Sequence, residues 1–156
     1  MRILGIDPGY GRMGWGVIEG NKNGWKLVSS GCLETKASTP FLKRLQELRN
    51  CLQHVIKTYK PDRAGVEQLF FAKNAKTAMD VGQARGVILV TLFDAGLPIT
   101  EATPMQVKQS VVGYGKADKL QIQHMVALQL GLKNKKMQDD MADALAIALT
   151  VGFISR

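Results

Sequence analysis

The chain has 156 residues, 46% of them hydrophobic, and carries 21 Lys and Arg against 13 Asp and Glu, a formal charge of +8. That length suits one domain, residues 1–156, with a core that needs neither disulfides nor a structural metal, and the composition excludes a disordered chain. No run approaches the roughly 18 apolar residues of a membrane span, and Asp7 interrupts any apolar leader, so a cytoplasmic protein with no membrane partner is expected.

Met1 to Asp7 is a short apolar run closed by Asp-Pro-Gly. Met13 to Glu19 resumes it, Asn21 to Gly24 forms a turn, and Trp25 to Leu33 is a third strand. Short connections predict an antiparallel meander. From Phe41 the period becomes helical, with Phe41, Leu42, Leu45, Leu48, Leu52, Val55, Ile56 and Tyr59 on one stripe that Pro61 stops. Cys51 falls in this helix as a core residue. Arg63 to Leu69 is a fourth strand, parallel to the first because a helix joins them. A second helix runs from Asn74 to about Ala95, with Ala78, Gly82, Gly86, Leu89, Val90 and Phe93 on one face. Gly82 and Gly86 allow another helix to approach closely, within the fold or across a dimer. Leu97 to Ala102 is a fifth strand. Thr103-Pro104 opens a short helix by capping and an N1 proline, and Asp118 with Gln121 forms a capping box for a helix ending at Gly131. Lys133 to Lys136 is a basic loop, and Gln138 to about Phe153 is the closing helix. The sum is an α/β domain with a five-stranded mixed sheet flanked by helices.

Gly9-Tyr10-Gly11-Arg12-Met13-Gly14 matches G-x-G-x-x-G, but Trp15 to Ile18 continues as strand where a dinucleotide site needs a helix N-terminus. The segment is therefore a strand-turn-strand that presents Asp7. Cys32 and Cys51 form no Cys-x-x-Cys, and His54 and His124 alone do not complete a zinc site.

Four carboxylates stand out. Alternation puts Asp7 on one strand face with Ile3 and Gly5, and Glu67 on one face with Gly65. Gly5-Ile6-Asp7 and Gly65-Val66-Glu67 thus share a missing side chain two residues before an acid, which leaves room for a helix or an ion. If the first and fourth strands are adjacent, the two acids are neighbours. In the closing helix the core stripe reads Ala144, Ile147, Ala148 and Val151, and Asp140 and Asp143 fall on or beside its N-terminal end. They are either helix-start acids favoured by the macrodipole, the preferred reading for Asp139, or acids aimed at the core, where burial costs several kcal/mol each unless cations or donors compensate. Four converging acids suit Mg²⁺, with Mn²⁺ as a substitute; two such ions would bridge enzyme and phosphodiester, one activating water and one stabilising the leaving oxygen.

Gly5-Ile6-Asp7-Pro8-Gly9 with Gly14-Trp15-Gly16, Glu67-Gln68-Leu69-Phe70, Gly82-Gln83-Ala84-Arg85-Gly86, Gln106-Val107-Lys108 with Val111-Val112-Gly113, and Asp140-Met141-Ala142-Asp143-Ala144-Leu145-Ala146 together resemble the RuvC Holliday-junction resolvases, in order and over essentially the whole chain. The resemblance implies a ribonuclease H-like fold and a homodimer whose two sites cut opposed strands of a four-way junction, leaving 5′-phosphate and 3′-hydroxyl ends. It also implies a RuvA/RuvB-type branch-migration complex as partner. The family's metal-binding and catalytic acids map onto Asp7, Glu67, Asp140 and Asp143, its DNA-contacting lysines onto Lys108 and Lys119, and its junction-probing aromatic onto Phe70. Against this, Lys108 and Lys119 could be solvated lysines, although the segment Thr103 to Lys136 sets six lysines against the single acid Asp118, and Phe70, like Phe71, could be core. The expected activity is that of a metal-dependent, structure-selective DNA endonuclease. A non-catalytic junction binder and an actin-like phosphotransferase are the competing readings; the first leaves four acids without a role, and the second needs a second nucleotide-binding half.

Overall fold

The computed structural model describes residues 1–21, 23–68, 75–132 and 137–154. Strands β1 (Arg2–Asp7), β2 (Arg12–Asn21) and β3 (Gly24–Glu34) form the expected meander, followed by α1 (Phe41–Tyr59), β4 (Arg63–Glu67), α2 (Ala75–Asp94), β5 (Ile99–Ala102), α3 (Pro104–Val112), α4 (Lys119–Gln129) and α5 (Asp139–Ile154). The sheet order is β3-β2-β1-β4-β5. β1 is antiparallel to β2 and parallel to β4, so the first and fourth strands are neighbours, with Gly5 opposite Gly65.

Alternation along β1 and β4 divides the core in two. Leu4, Ile6, Ala64 and Val66 pack with Leu48, Leu52, Ile88 and Leu92 of α1 and α2. Ile3 turns the other way and packs with Leu145, Ile147 and Val151 of α5 and with residues of α3 and α4. Glycines let α5 lie directly on the strands at this face. A Cβ at Gly5 would stand 2.0 Å from the Ala144 carbonyl oxygen, and one at Gly14 would stand 2.0 Å from that of Asp140. At Gly65 it would meet Val151 and Ile147 at 2.5 and 2.9 Å. The space that the Gly-x-acid pattern left for a helix or an ion is filled by the helix, and the acids project just beyond it.

Local signals place the smaller helices. Thr103 and Asp118 each close a reciprocal capping box, with Gln106 and Gln121, and Pro104 is the first residue of α3. Three expectations need correction. The core stripe of α5 is not a stripe, because Ala144 through Gly152 are buried on every side: the sheet covers one face and α3 and α4 the other. Leu42, assigned to the buried face of α1, is 77% exposed. In α2 the buried residues are Ala84, Ile88, Thr91 and Leu92, whereas Gly86, Val90 and Phe93 face outward and nothing lies within 4 Å of a Cβ at Gly86. Among the described residues, no helix of the same chain uses that face of Gly86. Phe70 and the basic loop Lys133 to Lys136 lie outside the described residues.

Candidate active site

The end of the sheet where β1 and β4 finish collects the predicted acids. Asp7 pairs across β1–β2 with Gly14, and Glu67 pairs with Ala102 of β5, one step past the Ile6–Val66 pair that joins β1 to β4. Asp140 and Asp143, on the first turns of α5, arrive over Gly14 and next to Ala144. Both are partly covered, at 24% and 37% side-chain exposure, while Asp139 points out at 61%.

Electrostatics show that the four acids share one environment. Burial and the negative charges of Glu67, Asp143 and Asp140 push the Asp7 carboxyl up to about 8. Burial and Asp143 raise Glu67, and burial raises Asp143 against the opposing pull of Lys119. Carboxylates gathered at one partly desolvated strand end are the oxygen donor set a hard divalent cation prefers. Among the described residues, no three His, Cys, Asp or Glu side chains close tightly enough to enclose an ion as they stand. Two of the acids are engaged by cations instead. Lys119 Nζ lies 3.5 Å from Asp143 and 3.1 Å from Asp139, and Arg12 Nη1 lies 3.6 Å from Asp140 Oδ2. These ammonium and guanidinium groups stand where positive charge is needed, so the residues fit a divalent cation at this end of the sheet.

Lys119 thus reaches the acids, as first residue of α4 behind the Asp118 cap. Desolvation draws its ammonium down, but the hydrogen bond to Asp139 and the charge of Asp143 outweigh that and leave it raised. Lys108 sits half-buried on α3 and forms no ion pair with the four acids among the described residues. Residues without a site role in the sequence reading complete the rim. Asp139 is more than a helix-start acid: it accepts from Lys119 and from Gln123 Nε2 at 2.7 Å, which hold its carboxyl below the usual range. Arg12 is paired in register with Glu34 and bonded to it at 2.5 Å, so its guanidinium is anchored while it faces Asp140. The Cys32 thiol lies 3.8 Å from the same Asp140 oxygen, and burial and that carboxylate push it up to about 11, which keeps it a donor. An open cleft of about 370 Å³ lined by Arg12, Met137, Gln138, Asp139 and Asp140 adjoins the acids.

The family model described as crossover junction endodeoxyribonuclease RuvC matches residues 3–151. The chain belongs to the RuvC family. Crossover junction endodeoxyribonuclease RuvC of Chloroflexus aurantiacus is 53% identical over 149 residues, 96% of this chain and 91% of that one. Thermus thermophilus RuvC in complex with Holliday junction substrate is similar at a TM-score of 0.94 and 36% identity, covering 100% of this chain and 95% of that one. The structure of Thermus thermophilus RuvC is similar at a TM-score of 0.91 and 37% identity, covering 100% and 96%. The five-stranded mixed sheet with flanking helices is therefore the RuvC fold, and this RuvC family member is a nuclease.

Proposed function

We propose that the chain, acting as one domain over residues 1–156, cuts four-way junction DNA through a site formed by Asp7, Glu67, Asp140 and Asp143. As a RuvC family nuclease it resolves Holliday junctions in recombination and repair, and that chemistry depends on divalent metal. One observation carries the assignment of residues: in a chain of net +8, Asp7 is half-buried at the end of β1 beside three further acids, and burial first, then their charges, push its carboxyl up to about 8. Asp7, Glu67, Asp140 and Asp143 would hold Mg²⁺, two ions per site, with Mn²⁺ as a substitute. Bound there, the ions supply an activated water and neutralise charge at the leaving oxygen.

The chain's own groups do the rest. Asp7 and Glu67 project from paired strands, which fixes them better than loops would. Lys119, already against Asp143, offsets charge on the incoming phosphate, and Lys108 contacts the backbone farther out. Phe70 stacks on an unpaired base near the exchange point. The outward face of α2, where Val90 and Phe93 are 59% and 77% exposed around the open Gly86, is the surface for a second copy, so that two sites cut opposed strands. No described helix is long and apolar enough to cross a membrane. We assign a cytoplasmic setting and a RuvA/RuvB-type branch-migration complex as partner.

The test is cleavage of a synthetic four-way junction against linear duplex, with mapped ends. Symmetric cuts leaving 5′-phosphate and 3′-hydroxyl ends in Mg²⁺ are expected, and none in EDTA. Asp7→Asn should bind the junction and leave it intact; a variant that cuts as fast as the wild type overturns the assignment.

A further inference from the structure

Glu67 is the last residue of the five-residue strand β4, and its backbone needs an anchor to hold the carboxylate in place. One side is pinned by the ladder to β5, where Gln68 N–H donates to the Ala102 carbonyl at 2.8 Å. The other contact comes from a helix. Arg85 of α2, its side chain only 19% exposed, donates Nε–H to the Glu67 carbonyl oxygen at 3.4 Å, while a terminal nitrogen is ion-paired and hydrogen-bonded to Glu101 of β5. Glu101 is itself the register partner of Val66, the residue before Glu67. A single guanidinium therefore joins α2, β4 and β5 at the point where the catalytic strand ends.

We infer that Arg85 is a positioning residue for Glu67, fixing the strand end so that the carboxylate meets the metal in its working place; this rests on the proposed four-acid site. Arginine suits the position. Its rigid planar fork satisfies a carbonyl and a carboxylate together, whereas lysine offers one rotating point charge and glutamine cannot form the ion pair. The carbonyl contact is long and part-buried, so the ion pair to Glu101 on the neighbouring strand is what keeps the guanidinium against the strand end. Arg85 immediately precedes Gly86 on the open face of α2, so the helix that would meet a second copy is the one that grips the catalytic strand.

Partners that orient a metal ligand typically matter about 10–100-fold in metal affinity or activity. Arg85→Gln should therefore weaken Mn²⁺ binding to the junction-free protein, followed by electron paramagnetic resonance, by roughly that factor. kcat for junction cleavage should fall in parallel at saturating junction, with junction affinity in Ca²⁺ and the sedimentation coefficient unchanged. Arg85→Lys should recover part of the loss, and Glu101→Gln, which keeps the carbonyl bond, should lose less than Arg85→Gln. In a Glu67→Gln background the Arg85 substitution should add nothing further to the loss of Mn²⁺ affinity. Wild-type Mn²⁺ affinity in Arg85→Gln, or an undiminished effect of Arg85→Gln in the Glu67→Gln background, overturns the inference. If Arg85→Gln does not fold, a folded Arg85→Lys with wild-type Mn²⁺ affinity overturns it equally. Failure of the nuclease reading looks different: the wild-type chain would then leave junctions intact in every metal.

Discussion

Replacing Gly5 by alanine should move the closing helix away from β1. A Cβ at this position would lie 2.0 Å from the Ala144 carbonyl oxygen, 2.6 Å from the Ala148 nitrogen and 2.9 Å from the Ala148 Cβ. Carbon and carbonyl oxygen in contact settle at about 3.3 Å or more, so α5 must retreat by roughly 1.3 Å or β1 must bend by as much. Both are packed on every side, and overpacking of this kind costs about 1–3 kcal/mol. For a domain of this size that is a fall in Tm of roughly 4–8 °C for about 2 kcal/mol. The catalytic consequence is larger than the stability one. Asp7 rides on β1 and Asp140 and Asp143 ride on α5, and a misplacement of about 1 Å costs on the order of 10²-fold in rate. Thermal unfolding by circular dichroism and single-turnover cleavage of a four-way junction well below Tm measure the two effects. Gly11→Ala serves as the control, since among the described residues its Cβ would meet Arg44 Nη2 at an ordinary 3.5 Å. A Gly5→Ala protein that melts and cuts like the wild type would refute direct packing of α5 on the β1 backbone.

Two further outcomes follow from the site and from α2. In the metal-free folded chain Asp7 keeps its proton up to about pH 8, whereas an aspartate in the unfolded chain releases it near 3.8. Between those values the native state binds more protons than the unfolded one, so stability falls as pH rises; Glu67 and Asp143, also pushed up by burial, act in the same direction. Tm in EDTA should therefore decline from about pH 5 to about pH 8, Mg²⁺ should restore it at the upper end, and Asp7→Asn should flatten the decline. A wild-type curve as flat as that of the variant contradicts the shared burial of the acids. On α2, Phe93→Glu places a charge on a face where Phe93 is 77% exposed in the single chain, so it should leave Tm of the monomer nearly unchanged and, with the proposed second copy seated on this face, abolish self-association in sedimentation. Retained dimerisation would move the interface elsewhere.

The four acids were legible because burying a carboxylate leaves marks close by in sequence. Gly5 and Gly65 each precede an acid by two residues, and strand alternation alone puts glycine and acid on one face. The register then sets Gly5 against Gly65. The cap at Thr103 and the capping box at Asp118 were equally readable, since donor and acceptor are three residues apart. The faces of α2 were not. Ala84, Ile88 and Leu92 form one apolar side and Gly86, Val90 and Phe93 another, and only packing against the sheet decides which is buried. The burial of α5 on all sides was hidden for the same reason, because the cover supplied by α3 and α4 is a tertiary fact.

The cations at the rim show where sequence reasoning ends. Lys119 entered the site through the family resemblance, and the Asp118 cap, which makes it the first residue of α4, is what brings it to the acids. Arg12, Arg85 and the second role of Asp139 had no such signal. Exposed ion pairs are worth about 0–1 kcal/mol each, too little to impose a pattern on neighbouring residues, and with 21 cations and 13 acids the possible pairings are many. Arg12 is 22 residues from Glu34, and Arg85 is 18 from Glu67 and 16 from Glu101. What brings them together is sheet register and the path of α2. The costly groups of this site, buried acids that need a helix to fit over bare backbone, are written locally as glycine and aspartate. The inexpensive groups that orient and neutralise them are written only in the fold.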